Sequence, residues 1–219
     1  MDTELRVIVV SQGSALTQSL ILLLTRRFAV RVLGPVADEV RALEVLAGGS
    51  VGLIVVDLAR EDGRAAEIVS AMVDGCATPV LAVAADGSVE DPARALAAGA
   101  IGVIRGTGGN AHELAASLRR AATGALVLPD VDLPSVVEQL RERSGMPLAS
   151  AGLTAREEEV LRAMSTGTSA EEIARALGIS TQTVRSHVKN VMAKLGVHSK
   201  VEAVTFALRT GLTGDRRSA

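Results

Sequence analysis

A group of basic side chains near the C-terminal end of this 219-residue chain has the types and spacing most suited to chemistry. These cations are Arg175, Arg185, Lys189, Lys194 and Lys200, and the three lysines are the only ones in the chain. No Asp or Glu occurs between Glu172 and Glu202. A solvated surface normally carries both signs of charge, so this run favours an anionic partner, and phosphate is the natural one.

Helical periodicity predicts how these cations are positioned. The apolar residues at helical spacing are Val184, Val188, Val191 and Leu195. Arg185, Lys189 and Lys194 project away from that buried stripe. Residues 171–177 predict a shorter helix, and a Gly-Ile corner at 178–179 leads to a serine that caps the next helix. Two helices joined by a short turn containing Gly, with a basic second helix, are typical of a helix-turn-helix.

Several sequence blocks agree with one family at fixed spacings. They are Leu153-Thr-Ala-Arg-Glu-Glu-Glu-Val-Leu161, Glu172-Ile-Ala, Ser180, Thr183-Val184, His187-Val188, Lys194-Leu195-Gly196-Val197 and Glu202-Ala203-Val204. Over about a quarter of its length the chain thus resembles the LuxR-type DNA-binding domain of NarL/FixJ response regulators. The resemblance implies an all-α module of four helices that binds double-stranded DNA, in a bacterial transcription regulator of the two-component type.

The predicted DNA-binding residues lie on or beside the basic helix. The side chains predicted to point outward are Gln182, Arg185, Ser186, Lys189 and Asn190. The resemblance implies that Arg185, Ser186 and Lys189 contact bases, and that Thr183, His187, Lys194 and Lys200 contact the DNA backbone. For Lys194 and Lys200 a plain solvated lysine is the alternative.

A single module of this kind offers a small interface, so we expect a two-fold homodimer on an inverted repeat. The last predicted helix, residues 199–210, carries Val204 and Leu208 as the candidates for packing against a partner helix. RNA polymerase is left open as a further partner.

Charge and composition narrow the class of protein. Residues 1–150 carry 13 basic and 18 acidic side chains, whereas residues 151–219 carry 10 basic and 7 acidic ones. With two Phe and no Tyr or Trp, stacking on unpaired bases is disfavoured, which leaves duplex DNA. Cys76 is the only cysteine, so no internal disulfide forms. We predict no metal, no cofactor, no signal peptide and no membrane span, and therefore a cytoplasmic protein.

The N-terminal part alternates strands with helices. Strands are predicted at 5–10, 28–33, 51–56, 79–84 and 100–104, and helices at 14–27, 38–47, 61–73, 88–98 and 111–123. This rhythm implies an α/β fold with a parallel five-stranded sheet, and sites at the carboxyl ends of its strands. Asp57 lies at such an end, directly after the third strand.

The same region resembles the receiver domain (flavodoxin-like) of response regulators, with Gly99-Ala-Ile-Gly102 as the turn before the fifth strand. The resemblance implies that Asp57 is the possible phosphoacceptor. The other residues of the family's phosphorylation site are replaced here. They are the acidic pair (Ser11 and Gln12), the Ser/Thr and Lys that contact the phosphoryl group (Ala84 and Gly106) and the aromatic switch residue (Val103).

Without the acidic pair Mg²⁺ loses its ligands, and without the Ser/Thr and Lys the phosphoryl charge has no protein partners. Arg105 neighbours the Lys position, but adjacent strand residues face opposite sides of the sheet. We therefore predict a degenerate receiver that is not controlled by conventional aspartyl phosphorylation. Two alternatives stay open: a small-molecule effector in the vacated cleft, and conventional phosphorylation of Asp57.

These observations predict three regions: a receiver-like domain at 1–123, a linker with a helix at 135–143 in residues 124–150, and the helix-turn-helix domain at 151–219. Two glycine motifs suggest enzymes and are rejected. The G-x-S-x-G at 48–52 precedes a strand instead of following one. The glycine-rich loop at 106–111 follows the last strand of the sheet, and no acid, base or nucleophile constellation accompanies it. The three histidines are not spaced as metal ligands would be. We also predict no catalytic residue.

Overall fold

A computed structural model describes residues 4–27, 30–85, 92–105, 111–128, 152–197 and 199–209. The chain divides into two compact units, Met1–Val131 and Asp132–Ala219. The predicted linker helix at 135–143 and the loop at 106–110 lie outside the described residues. Within the described ranges, no helix combines the length and the apolar character needed to cross a bilayer.

The first unit alternates strands and helices along its whole length. Its strands are β1 (Leu5–Val10), β2 (Val30–Val36), β3 (Leu53–Asp57), β4 (Val80–Ala84) and β5 (Val103–Arg105). Its helices are α1 (Ala15–Arg27), α2 (Glu39–Ala47), α3 (Ala65–Gly75), α4 (Pro92–Ala97) and α5 (Ala111–Ala122). The strands pair in parallel in the order β2-β1-β3-β4-β5. The predicted receiver-like fold is confirmed.

Burial explains why these segments are strands. All residues of β3 and β4 are buried, as expected for central strands of a sheet covered on both faces. On one face, Leu16, Leu20 and Leu24 of α1 join the same apolar cluster as Val55 and Leu118. The leucine stripe of α1 therefore belongs to the core of the unit.

The fifth strand is shorter than predicted, and the chain after α5 returns to its edge. The amide of Val103 donates to the Val127 carbonyl at 3.1 Å, and the Val127 amide donates to the Ile101 carbonyl at 3.0 Å. A Cβ at Gly102 would lie 2.0 Å from the Val127 oxygen, so only glycine fits there. At the opposite edge of the sheet, β2 tolerates Pro35 because an outer strand can lose a ladder hydrogen bond.

The second unit is helical in its described residues. Its helices are α6 (Ala155–Ser165), α7 (Ala170–Leu177), α8 (Thr181–Leu195) and α9 (Lys200–Arg209). Capping boxes at the starts of α6 and α7 are both formed in full, by Thr154 with Glu157 and by Ser169 with Glu172. At the start of α9, the hydroxyl of Ser199 accepts from the Glu202 amide at 3.1 Å.

The expectation that α9 presents Val204 to a partner is wrong for this arrangement. Every side chain from 201 to 207 is buried, and Val204 is only 8% exposed. In this arrangement α9 packs against both α6 and α8. Leu208, the other candidate, lies on α9, but its side chain is not among those that the structure describes.

Candidate functional site

The corner between α7 and α8 fixes where α8 begins. Gly178 ends α7 in the left-handed conformation, with φ 65° and ψ 32°, and its amide bonds back to the helix. Ser180 then caps α8 by accepting from the Thr183 amide at 3.0 Å. The predicted helix-turn-helix geometry follows from these two residues.

Helix α8 has one buried and one exposed side. The buried side chains are Val184, Val188, Val191 and Leu195, as predicted. We call the exposed set the α8 outer face; it consists of Gln182, Thr183, Arg185, Ser186, Lys189 and Asn190. His187 is half-buried between the two sides. The structure therefore brings six of the nine predicted DNA-binding residues together on one surface.

Two hydroxyls of the α8 outer face already have partners within the helix. The Thr183 hydroxyl lies 2.8 Å from the Ser180 hydroxyl, and the Ser186 hydroxyl donates to the Gln182 carbonyl at 3.1 Å. The charged and amide side chains of the same face are also exposed to solvent; they are Gln182, Arg185, Lys189 and Asn190. This face presents hydrogen-bond donors and positive charge, which suits the acceptor-rich edges and phosphates of duplex DNA.

Lys194 has a different environment from the other cations of α8. Its Nζ lies 2.7 Å from Oε2 of Glu157 and 3.3 Å from the Gly152 carbonyl. The Glu157 side chain is only 5% exposed, and the ammonium of Lys194 is the largest factor that lowers its pKa to about 2. Lys194 thus has a partner inside the second unit.

Lys200 lies near the α8 outer face, at the start of α9, and is half-buried. Burial lowers the pKa of its ammonium, and the nearby Arg185 guanidinium lowers it further. The start of α9 therefore adds a second cation near Arg185.

In the first unit, Asp57 is buried and surrounded by hydroxyl groups. Its Oδ2 accepts from the hydroxyls of Ser11 at 2.8 Å, Ser14 at 2.6 Å and Thr17 at 2.6 Å. Its Oδ1 accepts from the Ala59 amide at 3.0 Å. We call Asp57, Ser11, Ser14 and Thr17 the Asp57 cluster. Because β1 and β3 are neighbours in a parallel sheet, their carboxyl ends bring these residues to one edge.

A second polar group lies on the loop after β3. Arg60 donates through Nε and Nη2 to the two oxygens of Asp62, at 3.1 and 2.7 Å, and through Nη1 to the Ala37 carbonyl at 2.9 Å. Gln12 adds a 3.0 Å bond to Asp62. The Arg60 guanidinium is the main cause of the lowered pKa of Asp62, about 2.

The remaining positions of the expected phosphorylation site hold no ionisable group in the described structure. Ala84 is buried at the end of β4, and Val103 is buried at the start of β5. Arg105 is exposed, whereas Gly106 lies outside the described residues. In the described part of the chain, no group of three or more His, Cys, Asp or Glu is placed to hold a metal ion.

Sequence reasoning missed three residues that shape these sites. Ser14, directly before α1, and Thr17, in its first turn, bind Asp57, and their position after the first strand was the available signal. Arg156, in the block from Leu153 to Leu161, donates to the Leu177 carbonyl at 2.6 Å. No residue spacing in the sequence predicted this contact.

The rejected enzyme motif and the lone cysteine have structural roles. Residues 48–52 form the loop between α2 and β3, and a Cβ at Gly49 would lie 3.0 Å from the Arg6 guanidinium. Cys76 is half-buried at the end of α3 and donates its thiol to the Met72 carbonyl at 3.1 Å.

Comparison with known proteins gives one matching family model. The family described as "Bacterial regulatory proteins, luxR family" matches residues 151–207. This range contains the two capping boxes, the corner at Gly178 and all of α8.

Two curated relatives match much more of the chain. The transcriptional regulatory protein UhpA of Escherichia coli is 33% identical over 161 residues, which cover 74% of this chain and 76% of UhpA. The transcriptional regulatory protein LiaR of Bacillus subtilis is 25% identical over 209 residues, covering 95% of this chain and 99% of LiaR. Among solved structures, the response regulator ChrA of a heme-sensing two-component system aligns with a TM-score of 0.48 at 23% identity, covering 95% of this chain and 98% of ChrA.

Proposed function

Because the chain belongs to the NarL/FixJ family of response regulators with a LuxR-type helix-turn-helix, we propose that it binds a specific double-stranded DNA sequence as a homodimer and regulates transcription. The observation that carries this proposal is the α8 outer face, where exposed cations and amides lie on the side opposite a fully buried apolar stripe. A helix with this division of residues suits insertion into the major groove.

We assign roles on α8 and at the start of α9 from the resemblance to the family, together with exposure. Arg185, Ser186 and Lys189 read base edges near the centre of the face, and Gln182 and Asn190 flank them. Thr183, His187 and Lys200 contact the phosphate backbone and fix the register. Lys200→Ala is then expected to weaken binding to all sequences alike and to reduce the salt dependence by about one phosphate contact.

The proposed organisation keeps a receiver-like domain at 1–123, a linker at 124–150 and the DNA-binding domain at 151–219, with Val127, near the start of that linker, paired to the edge of the sheet. Contact with RNA polymerase stays a prediction. For the homodimer, sedimentation of the protein on its DNA site is the measurement, and a monomer on DNA would reject it.

The receiver-like domain is proposed to act without conventional phosphorylation of Asp57. A phosphoacceptor carboxylate needs an accessible oxygen and a bound cation beside it. Here Oδ2 of Asp57 accepts three hydroxyl hydrogen bonds within the protein, and one of these hydroxyls belongs to Ser11, at the position of a missing carboxylate. Neutral donors at these distances stabilise the carboxylate, and the Asp57 cluster holds no second carboxylate that would help to bind Mg²⁺.

The same hydrogen bonds bear on the effector alternative. Both oxygens of Asp57 and both oxygens of Asp62 already accept from protein groups. The carboxylate of the Asp57 cluster therefore has no oxygen without a protein donor, which gives the effector alternative little support.

Selection of genomic DNA fragments by the purified, unphosphorylated full-length protein, at near-physiological salt, tests the proposal. Salt matters because low ionic strength exaggerates phosphate contacts. Enrichment of an inverted repeat is the expected result. Recovery of all fragments in proportion to their length alone would overturn sequence-specific binding.

Phosphorylation is tested separately, with a small phosphodonor and Mg²⁺ followed by intact-mass measurement. We expect no stable adduct at Asp57. Stoichiometric, Mg²⁺-dependent addition of a phosphoryl group that Asp57→Asn abolishes would restore the conventional mechanism.

A further inference from the structure

The first turn of α6 contacts the chain at both ends of α8. Arg156 donates through Nη2 to the carbonyl of Leu177, the last residue of α7, at 2.6 Å. Glu157, the next residue, accepts through Oε2 from Lys194, in the last turn of α8, at 2.7 Å. Two adjacent side chains of opposite charge therefore hold the corner before α8 and the end of α8.

The contact at the corner uses a carbonyl that the helix itself leaves unsatisfied. The last carbonyls of a helix have no partner within it. The Arg156 guanidinium satisfies that of Leu177, and its other nitrogen pairs with Glu159 at 2.8 Å, which keeps the planar group in place. Gly178 follows Leu177 directly, and Ser180 lies two residues further on. This bond therefore holds the residues that determine where α8 begins.

The contact at the far end depends on charge. Oε2 of Glu157 also accepts from the amide and hydroxyl of Thr154, at 2.8 and 3.0 Å, and the carboxylate is almost completely buried. A buried carboxylate that loses its cation is costly, which favours the pair with Lys194 although the lysine side chain itself is 37% exposed. A second bond from Lys194 to the Gly152 carbonyl at 3.3 Å directs its ammonium toward α6.

From this geometry we infer that Arg156 and Glu157 are positioning residues for the DNA-reading surface, and that Lys194 binds Glu157 rather than a DNA phosphate. The inference rests on the proposed DNA-binding function. The two contacts fix the direction of α8 relative to α6, and with it the direction in which Arg185 and Lys189 point. Their loss misdirects base contacts more than it weakens general attraction to DNA.

The test compares two lysines of the same helix in the full-length protein. Lys194→Met, Glu157→Gln and the double variant are measured beside Lys189→Met, which removes a cation from the α8 outer face. For each variant, affinity is measured for the enriched DNA site and for a scrambled duplex, over a series of salt concentrations. Circular dichroism confirms that each variant is folded at the assay temperature.

If Lys194 is a positioning residue, Lys194→Met lowers the ratio of cognate to scrambled affinity by roughly tenfold, the order of one lost base contact, with an unchanged salt slope. Glu157→Gln, which keeps the shape and removes the charge, gives a similar loss. The double variant is no worse than the poorer single one, because the two residues act as one pair. Lys194→Arg, which retains the ion pair, keeps the wild-type ratio.

A phosphate contact gives a different pattern. Lys194→Met would then weaken cognate and scrambled DNA equally and reduce the salt slope by about 0.9, whichever residue stands at 157. That result, or an unchanged ratio in both Lys194→Met and Glu157→Gln, overturns the positioning role while the DNA-binding proposal stands. A wild-type protein with equal affinity for both duplexes overturns the proposed function itself, and the positioning role with it.

Discussion

The Asp57 cluster and the α8 outer face are both polar, but their hydrogen-bonding groups point in opposite directions. In the Asp57 cluster, three hydroxyls turn inward to one buried carboxylate oxygen. On the α8 outer face, the arginine, the lysine and the amides point toward solvent, and only the hydroxyls bond within the helix. A polar site with internal partners contributes to stability, whereas one that lacks them is available for a ligand.

Replacing the carboxylate of the Asp57 cluster is expected to have the largest effect. Asp57→Ala leaves three hydroxyls and one amide without their acceptor, so the free energy of unfolding should fall by about 3 kcal/mol. DNA affinity of the folded protein should not change. Denaturant unfolding followed by circular dichroism is the measurement, since the chain has no Trp or Tyr.

Asp57→Asn is the matched control for that prediction, because the amide keeps the shape and one acceptor oxygen. It should cost less than Asp57→Ala. If the alanine variant were as stable as wild type, the cluster would not be a stabilising feature. The two regions would then no longer differ in their contribution to stability.

Removal of one cation from the α8 outer face should give the opposite result. Arg185→Ala is expected to weaken binding to the preferred DNA site by about 1 to 3 kcal/mol and to relax the preference at the base it contacts. The free energy of unfolding should stay within about 0.5 kcal/mol of wild type, because Arg185 is exposed.

Arg119→Ala provides the control, since it also removes an exposed arginine, in this case from α5 of the first unit. Binding isotherms on one duplex distinguish the two substitutions. Undiminished cognate affinity in the Arg185 variant would remove the main assignment on this face.

The two regions could be predicted from the sequence to different extents. The helices of the second unit were predictable because capping boxes, a glycine corner and an apolar stripe all use residues three or four positions apart. The partners of Asp57 were not, because Ser14 lies 43 residues away and meets it only through the strand order. The Glu157–Lys194 pair joins residues 37 positions apart. It could not be predicted because the contact forms only when α6 packs against α8.

The pH dependence of stability tests whether Glu157 belongs to the inward-facing kind of site. Its pKa falls from the ordinary 4.5 to about 2 in the folded protein, mainly through the hydrogen bond from Lys194. The stabilisation is therefore fully present above pH 4.5 and is lost as the pH falls toward 2. Glu157→Gln should be less stable than wild type at pH 7, and this difference should shrink on acidification.

Unfolding by denaturant at a series of pH values measures that difference. Asp62, in the first unit, has a lowered pKa in the same range, so only the difference between the two proteins isolates Glu157. A stability gap that stays constant down to pH 2 would show that the charge of Glu157 does not stabilise the fold.

The smallest effect is expected at Gln12, which lies beside the Asp57 cluster but is exposed. Its amide bonds to Asp62 at 3.0 Å, yet Asp62 keeps both bonds from Arg60 when Gln12 is removed. Gln12→Ala should therefore change the free energy of unfolding by less than about 0.5 kcal/mol. Gln18→Ala, which removes an exposed glutamine bonded to the Gly13 carbonyl at 2.9 Å, is the matched control in the same unfolding assay. A loss at Gln12 as large as that of Asp57→Ala would extend the inward-facing network to the loop after β3, because Asp62 would then depend on Gln12 as the Asp57 hydroxyls depend on their carboxylate.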